Sequence, residues 1–155
     1  MRGKKAKIRQ TQPDVRYSNI LVSRFINKIM LDGKKSTAQK LFYKVIESAA
    51  KDLNIEPIVF VNTVVDNLRP ALEIKARRVG GANYSVPIPV TPRRQEALAI
   101  RWVVDVTRAK TGDTFDVLLK REMVDAYNRI GGAIEKKNGV EKMAEANKAF
   151  AHFKW

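Results

Sequence analysis

Along residues 57–106 the spacing of apolar side chains changes from a helical period near 3.6 to a period of 2 and back again. Pro57 opens a run with Val61, Val64, Val65 and Leu68 on one stripe, closed before Pro70. Thr91-Pro92 opens another, holding Ala97-Leu98-Ala99-Ile100, Trp102, Val103, Val104 and Val106. That second run is apolar nearly all round, which predicts a central helix packed on several sides. Between the two, residues 74–79 and 84–88 alternate about Gly80-Gly81-Ala82-Asn83, and glycines followed by Asn between such runs predict a hairpin. Pro87 and Pro89 stand two apart, so their missing N–H groups share one strand edge, which is blunted against further pairing and is expected to face outward. A two-stranded ribbon is marginal in water, so it makes most sense if something docks on it. The core must then be helical.

Four further helices follow from spacing and end signals. The first starts at a Ser18 cap, carries Val22, Phe25, Ile26, Ile29 and Met30, and stops at Asp32-Gly33. A second, capped by Ser36, has the cleanest period in the chain: Ala38, Leu41, Phe42, Val45, Ile46, Ala49 and Leu53. The fifth in chain order runs from Thr114 through Leu119, Met123, Ala126 and Ile130 to Gly131. A sixth covers about 134–151, with Val140, Met143, Ala144 and Asn147 on one face and Asn138-Gly139 as a possible break. The 155 residues therefore predict a mainly α single domain. It comprises a basic arm over 1–17 and a body over 18–155, in which six helices carry a protruding two-stranded hairpin at about 73–90, between helices three and four.

Charge indicates the partner. Thirty Lys and Arg against 16 Asp and Glu leave a net +14, which suits a polyanion, with nucleic acid ahead of a membrane surface. Arg2, Lys4, Lys5, Lys7 and Arg9 crowd the start without an acid, in a segment too polar to order itself before a partner neutralises it. Residues 74–95 hold Lys75, Arg77, Arg78, Arg93 and Arg94 and again no acid. Arginine forks match phosphate oxygens, alternation sets Lys75 and Arg77 on one ribbon face, Gly80 and Gly81 allow close backbone approach, and the Tyr84 ring can stack on a base. Lys34 and Lys35 form a second cluster, which Arg24 and Lys28, four apart, could extend.

Catalytic chemistry is poorly supplied. Zero cysteines exclude thiolate metal sites and a cysteine nucleophile, and fit a reducing cytoplasm. The single His152 has no companion at metal-ligand spacing and reads as a tail residue that packs or stacks. Glu122/Asp125 and Glu141/Glu145 stand at the spacing of solvated helix faces. Gly33-Lys34-Lys35 lacks the upstream glycine and strand of a phosphate loop. No cofactor or metal is expected. The basic start leads into no apolar signal region, and no apolar run approaches a membrane span, so a soluble intracellular protein is expected. Trp102 reads as core, while Trp155 could dock on the body or stack on a partner. Basic groups spread over an arm, a ribbon and loops favour folded RNA over DNA, whose readers more often concentrate them on one recognition helix. A helical bacterial DNA-binding regulator is the alternative, and a nucleic-acid hydrolase a distant third.

Longer motifs carry a family resemblance. Asp32-Gly33-Lys34-Lys35-Ser36-Thr37-Ala38, Asn67-Leu68-Arg69-Pro70, Lys75-Ala76-Arg77-Arg78-Val79-Gly80-Gly81 and Tyr84-Ser85-Val86-Pro87 occur in that order. Ala97-Leu98-Ala99-Ile100-Arg101-Trp102 and residues 143–152 complete the series, and together the chain resembles bacterial-type small-subunit ribosomal protein seven over nearly its whole length. The resemblance implies a primary binder of the 3′ major domain of small-subunit ribosomal RNA that nucleates assembly of the subunit head. It further implies a place at the subunit interface near the exit-site tRNA and the mRNA path, beside small-subunit proteins nine and eleven. The family's RNA-contacting hairpin maps onto Lys75, Arg77, Arg78, Gly80, Gly81 and Tyr84, with Gly81, Ala82, Asn83 and Tyr84 nearest tRNA and mRNA. Its other rRNA contacts map onto Arg93 and Arg94 and onto Lys34 and Lys35. The connection Lys110-Thr111-Gly112-Asp113-Thr114 is less basic than in the family.

Overall fold

The computed structural model describes residue 3 and residues 9–153. Among them are six α-helices, α1 (Ile20–Ile29), α2 (Lys35–Leu53), α3 (Pro57–Leu68), α4 (Pro92–Ala109), α5 (Phe115–Tyr127) and α6 (Gly132–Ala146). The hairpin strands β1 (Leu72–Val79) and β2 (Ala82–Pro89) lie between α3 and α4, and a 3-10 turn, Lys148–Phe153, follows α6. The expected class and order hold.

Several boundaries move, each for a local reason. Ser18 has a positive φ of 49° and stands outside α1, whereas Asn19 is extended and its Oδ1 accepts from the N–H groups of Leu21 at 2.7 Å and Val22 at 3.3 Å. Asn19, not Ser18, is the cap. Ser36 lies inside α2, which begins at Lys35 without a side-chain cap. Ile130 falls beyond the end of α5 and is exposed. Asn138-Gly139 does not interrupt α6, whose core-facing residues are Ala133, Ile134 and Ala144, while Met143 points to solvent. The last turn before residue 153 tightens to a 3-10 helix instead of continuing α6.

The core is built from one stripe of each helix. Phe25 of α1 stacks on Phe42 of α2 with ring centroids 5.0 Å apart and planes 17° apart. Phe60, Val61, Val64, Val65 and Leu68 bury the whole inner face of α3. Helix α4 packs on α1, α3, α5 and α6, as its sequence predicts, with Ala97 turned outward and Trp102 only half-buried. Glu122 departs most from expectation. It is fully buried, its carboxylate 2.5 Å from Lys110 Nζ, where the Glu122/Asp125 spacing reads as a solvated face.

Residues 14–17 are fastened to α2. The buried Asp14 carboxylate accepts from the Tyr43 hydroxyl at 2.7 Å and from the N–H groups of Arg16 and Tyr17. Tyr17 donates to Glu47 at 2.8 Å and meets the Tyr43 ring edge-on at 5.7 Å. Arg16 lies over both rings and pairs with Glu47. Burial, then donation to a carboxylate, pushes the phenols of Tyr17 and Tyr43 up to about 12. A raised phenol pKa stabilises the fold below the ordinary phenol value of 10.0 and loses that contribution as pH climbs towards about 12. The midpoint of thermal unfolding should therefore fall steeply across that window, and Tyr17→Phe with Tyr43→Phe should flatten the fall. An unchanged alkaline slope in the double variant would place the titrating groups elsewhere.

In the ribbon, Arg77 pairs with Tyr84, Arg78 with Asn83 and Val79 with Ala82. The connection is thus a two-residue turn at Gly80-Gly81, shorter than expected, with Ala82 and Asn83 already in β2. Both glycines have positive φ, 56° and 93°, the signature of a turn whose twist matches the flanking strands. Val90 N–H donates to Ala71, so by alternation the nitrogens of Pro87 and Pro89 point away from β1. That blunted edge faces outward only at Pro89, which is exposed. Pro87 is buried, and both prolines border a groove completed by Glu141, Ala144, Glu145, Lys148 and Ala151. The chain's own C-terminal segment covers the edge at Pro87.

Candidate nucleic-acid interface

Helix α4 projects Arg93, Ala97 and Arg101 from one face, at successive spacings of four residues. Helix α1 sets Arg24 and Lys28 against that face, and Thr11 closes one side of the cleft between them. The two α1 cations are tied down: Arg24 bonds Glu96, which also receives Arg69 at 3.1 Å, and Lys28 pairs with Asp105 at 3.1 Å. Arg93 and Arg101 are exposed and form no ion pair among the described residues. The cleft thus holds two fixed and two extended cations.

The first turn of α4 contains Arg93 and Arg94 and no acid. Cations there oppose the helix dipole, which favours negative charge at its N-terminus. Arg94 is compensated, its Nε 3.2 Å from a Glu73 carboxylate oxygen on β1. Arg93 is not.

The residues expected to bind do not form one patch. Lys75 and Arg78 are exposed on β1, and Arg77 is half-buried opposite Tyr84. Arg93 joins Arg24, Lys28 and Arg101, whereas Arg94 turns to the foot of the ribbon. Lys34 and Lys35 are exposed beyond α1, and Lys34 borders a separate groove with Ile29, Leu41, Arg108 and Phe115. Arg9 is exposed, and Arg2, Lys4, Lys5, Lys7 and Trp155 lie outside the described residues. Ala82 and Asn83 are exposed beside the glycine turn. The Tyr84 ring has an internal partner, lying 5.2 Å from Phe150 and 5.0 Å from Phe153. His152 packs as a tail residue, its ring 4.0 Å from that of Phe153.

Arg101 is the residue that reading by clusters misses. It stands alone among apolar neighbours in sequence, and only its eight-residue offset from Arg93 signals a shared helix face. Among the described residues, no group of three or more His, Cys, Asp or Glu is disposed to hold a metal ion, and no helix is long and apolar enough to cross a membrane.

Comparison with known proteins identifies the family. The sequence pattern of the family described as ribosomal protein S7p/S5e matches residues 1–148. The chain is 50% identical over 147 residues to small ribosomal subunit protein uS7 of Natranaerobius thermophilus, covering 95% of this chain and 94% of that protein. It is 51% identical over 158 residues to the uS7 of a Nitratiruptor species, with both chains fully covered. The uS7 of Thermus thermophilus is 45% identical over 154 residues, 99% of each chain. Basic clefts, a poor catalytic inventory and full-length likeness converge, and the chain belongs to the ribosomal protein S7p/S5e family, whose members are non-enzymatic components of the small ribosomal subunit.

Proposed function

We propose that the chain binds the 3′ major domain of small-subunit ribosomal RNA and nucleates assembly of the subunit head. In this reading the α1–α4 cleft and the foot of the ribbon grip phosphates, and the part of the arm that precedes Asp14 extends that grip from the cleft mouth at Thr11. The carrying observation is the first turn of α4, where two arginines and no acid stand at a dipole end that favours an anion. Pro92 has no N–H, and those of Arg94 and Gln95 donate to the Thr91 carbonyl. A phosphate seated there thus meets the N–H and the guanidinium of Arg93 at the positive end of the dipole, turning an unfavourable placement into a favourable one. Lys34 and Lys35 beyond α1, and Lys75, Arg77 and Arg78 on β1, add contacts apart from the cleft. The uncharged tip, Gly81 to Asn83, supplies little phosphate affinity and is assigned to the exit-site tRNA and mRNA path, with proteins nine and eleven as neighbours. Charges distributed over several elements, together with the family, favour this reading over a DNA-binding regulator.

Filter-binding titrations on a 3′ major domain fragment should show each of Arg93→Ala and Arg101→Ala lowering the salt slope by about one, if each makes one phosphate contact. Removing Arg78-Val79 and Ala82-Asn83 in register, with Gly80-Gly81 kept as the turn, should lower that affinity no more than Arg78→Ala does and should speed release of exit-site tRNA from reconstituted subunits. Loss of rRNA binding on shortening the tip, with no effect of the arginine changes, would refute the division of labour.

A further inference from the structure

The ribbon is longer than its own hydrogen bonds explain. Two strands alone are marginal in water, yet β1 and β2 pair over eight residues each, from Leu72↔Pro89 to Val79↔Ala82. At the foot the attachments are polar: Arg94 reaches Glu73, and Glu141 of α6 accepts the Ala71 N–H at 3.2 Å. Midway, Val86 is wholly buried. Farther out, four residues beyond Glu73, Arg77 faces Tyr84, whose ring meets Phe150 and Phe153 of the 3-10 turn. Those two phenyl rings lie 6.5 Å apart with planes 15° apart, and His152 packs on Phe153 while its Nδ1 lies 2.9 Å from the Ala149 carbonyl.

We infer that Phe150 and Phe153 are positioning residues for the hairpin tip: the C-terminal turn is a third layer beneath the ribbon, clasping Tyr84 and fixing the direction in which the ribbon points. The lever arm supports this. At roughly 3.3 Å per residue, the trio holds the ribbon about 13 Å out from Glu73 and leaves only about 10 Å of free overhang to the glycine turn. The trio engages the ribbon farther out than the buried Val86 and the polar contacts at the foot, which water can replace. The trio is a specific lock because two rings meet one ring on β2, at 5.2 and 5.0 Å, and aromatic pairs at these separations gain beyond simple burial. None of its rings belongs to the helical core cluster, so loosening the ribbon leaves the body intact.

The functional consequence rests on the proposed approach of the tip to exit-site tRNA; the structural claim does not. Amide hydrogen exchange on the free full-length protein should show Phe150→Ala with Phe153→Ala lowering protection of Tyr84 and Val86 roughly tenfold or more, with α2 and α4 unchanged. Phe150→Leu with Phe153→Leu should recover only part of it, whereas Phe150→Tyr with Phe153→Tyr should recover most. Unchanged protection at Tyr84 and Val86 in the alanine pair overturns the inference, as does equal loss across α2 and α4, which would make the turn part of the core. Reconstituted subunits carrying the alanine pair should keep their rRNA affinity and release exit-site tRNA faster. Loosened amides with unaltered tRNA release would uphold the clasp and refute the tip's assignment to tRNA. Tighter rRNA binding by the alanine pair would overturn the inference in favour of a cover that hides Tyr84 from a base.

Discussion

Phe42→Ala should cost about 3–5 kcal/mol of folding stability, the range for removing a fully buried phenyl ring. The side chain is 0% exposed, stacks on Phe25 and lies in the one cluster that joins all six helices. The cavity cannot close cheaply, because Phe25, Val45 and Ile46 are held by their own helices. For a domain of this size the thermal midpoint should drop by roughly 10 °C. RNA affinity measured well below that midpoint should stay near normal, since Phe42 reaches no surface. Lys34→Ala with Lys35→Ala should do the reverse: both side chains are exposed, so stability should move by less than about 0.5 kcal/mol while the salt dependence of RNA binding flattens. A Phe42→Ala protein that stayed stable but failed to bind would mean the ring belongs to the interface and not to the core.

That contrast depends on a property of α2 that is legible in sequence. Its apolar residues repeat at a helical period, and period alone decides which face is buried. The same logic found α1, α3 and α4, and the switch to period 2 found the ribbon. Where period was weak, placement failed. Helix α6 has small residues on its core face, so Ala133 and Ile134 are not placed on it by spacing, and the buried Ala144 is grouped with the exposed Met143. Caps failed for a different reason. Ser18 and Asn19 are both competent, and only φ and ψ, set by the docking of Asp14 and Tyr17 on α2, decide between them. The interface was half legible: charge density marked Arg93 and Arg94, but which of them enters the cleft depends on Glu73, a partner on another element. The Tyr84 ring reads as a base-stacking platform in sequence because its phenylalanine partners lie 66 and 69 residues downstream. Long-range contacts of that kind leave no local signal.

Glu122 is the clearest case, and its replacement carries the other large expected effect. One carboxylate serves two helix ends. Its Oε2 lies 2.5 Å from Nζ of Lys110, the residue that closes α4, and its Oε1 accepts the Ala133 N–H at 2.7 Å in the first turn of α6. The N-cap of α6 is Gly131, which has no side chain to offer, so the buried carboxylate of α5 takes the capping role from across the core. The approach is close as well: a Cβ on Gly132 would stand 2.9 Å from Val106 of α4. Glu122→Ala would leave a buried N–H and a lysine without their acceptor. Breaking a buried pair costs about 3–5 kcal/mol, but the Lys110 side chain is 35% exposed and can turn to water, so about 2–4 kcal/mol is expected. Glu122→Gln keeps an acceptor for Ala133 but sets an amide NH2 in place of the charged oxygen that faces Lys110, which can turn to water, at about 1–2 kcal/mol. Urea unfolding at neutral pH should therefore rank wild type above Glu122→Gln above Glu122→Ala. In the Lys110→Met background the step from Glu to Gln should shrink, because the charge then has no partner, while the step from Gln to Ala should persist, because Ala133 still needs its acceptor. If the Gln and Ala variants proved equally stable in both backgrounds, the cap on α6 would contribute nothing and the carboxylate would matter only through its lysine.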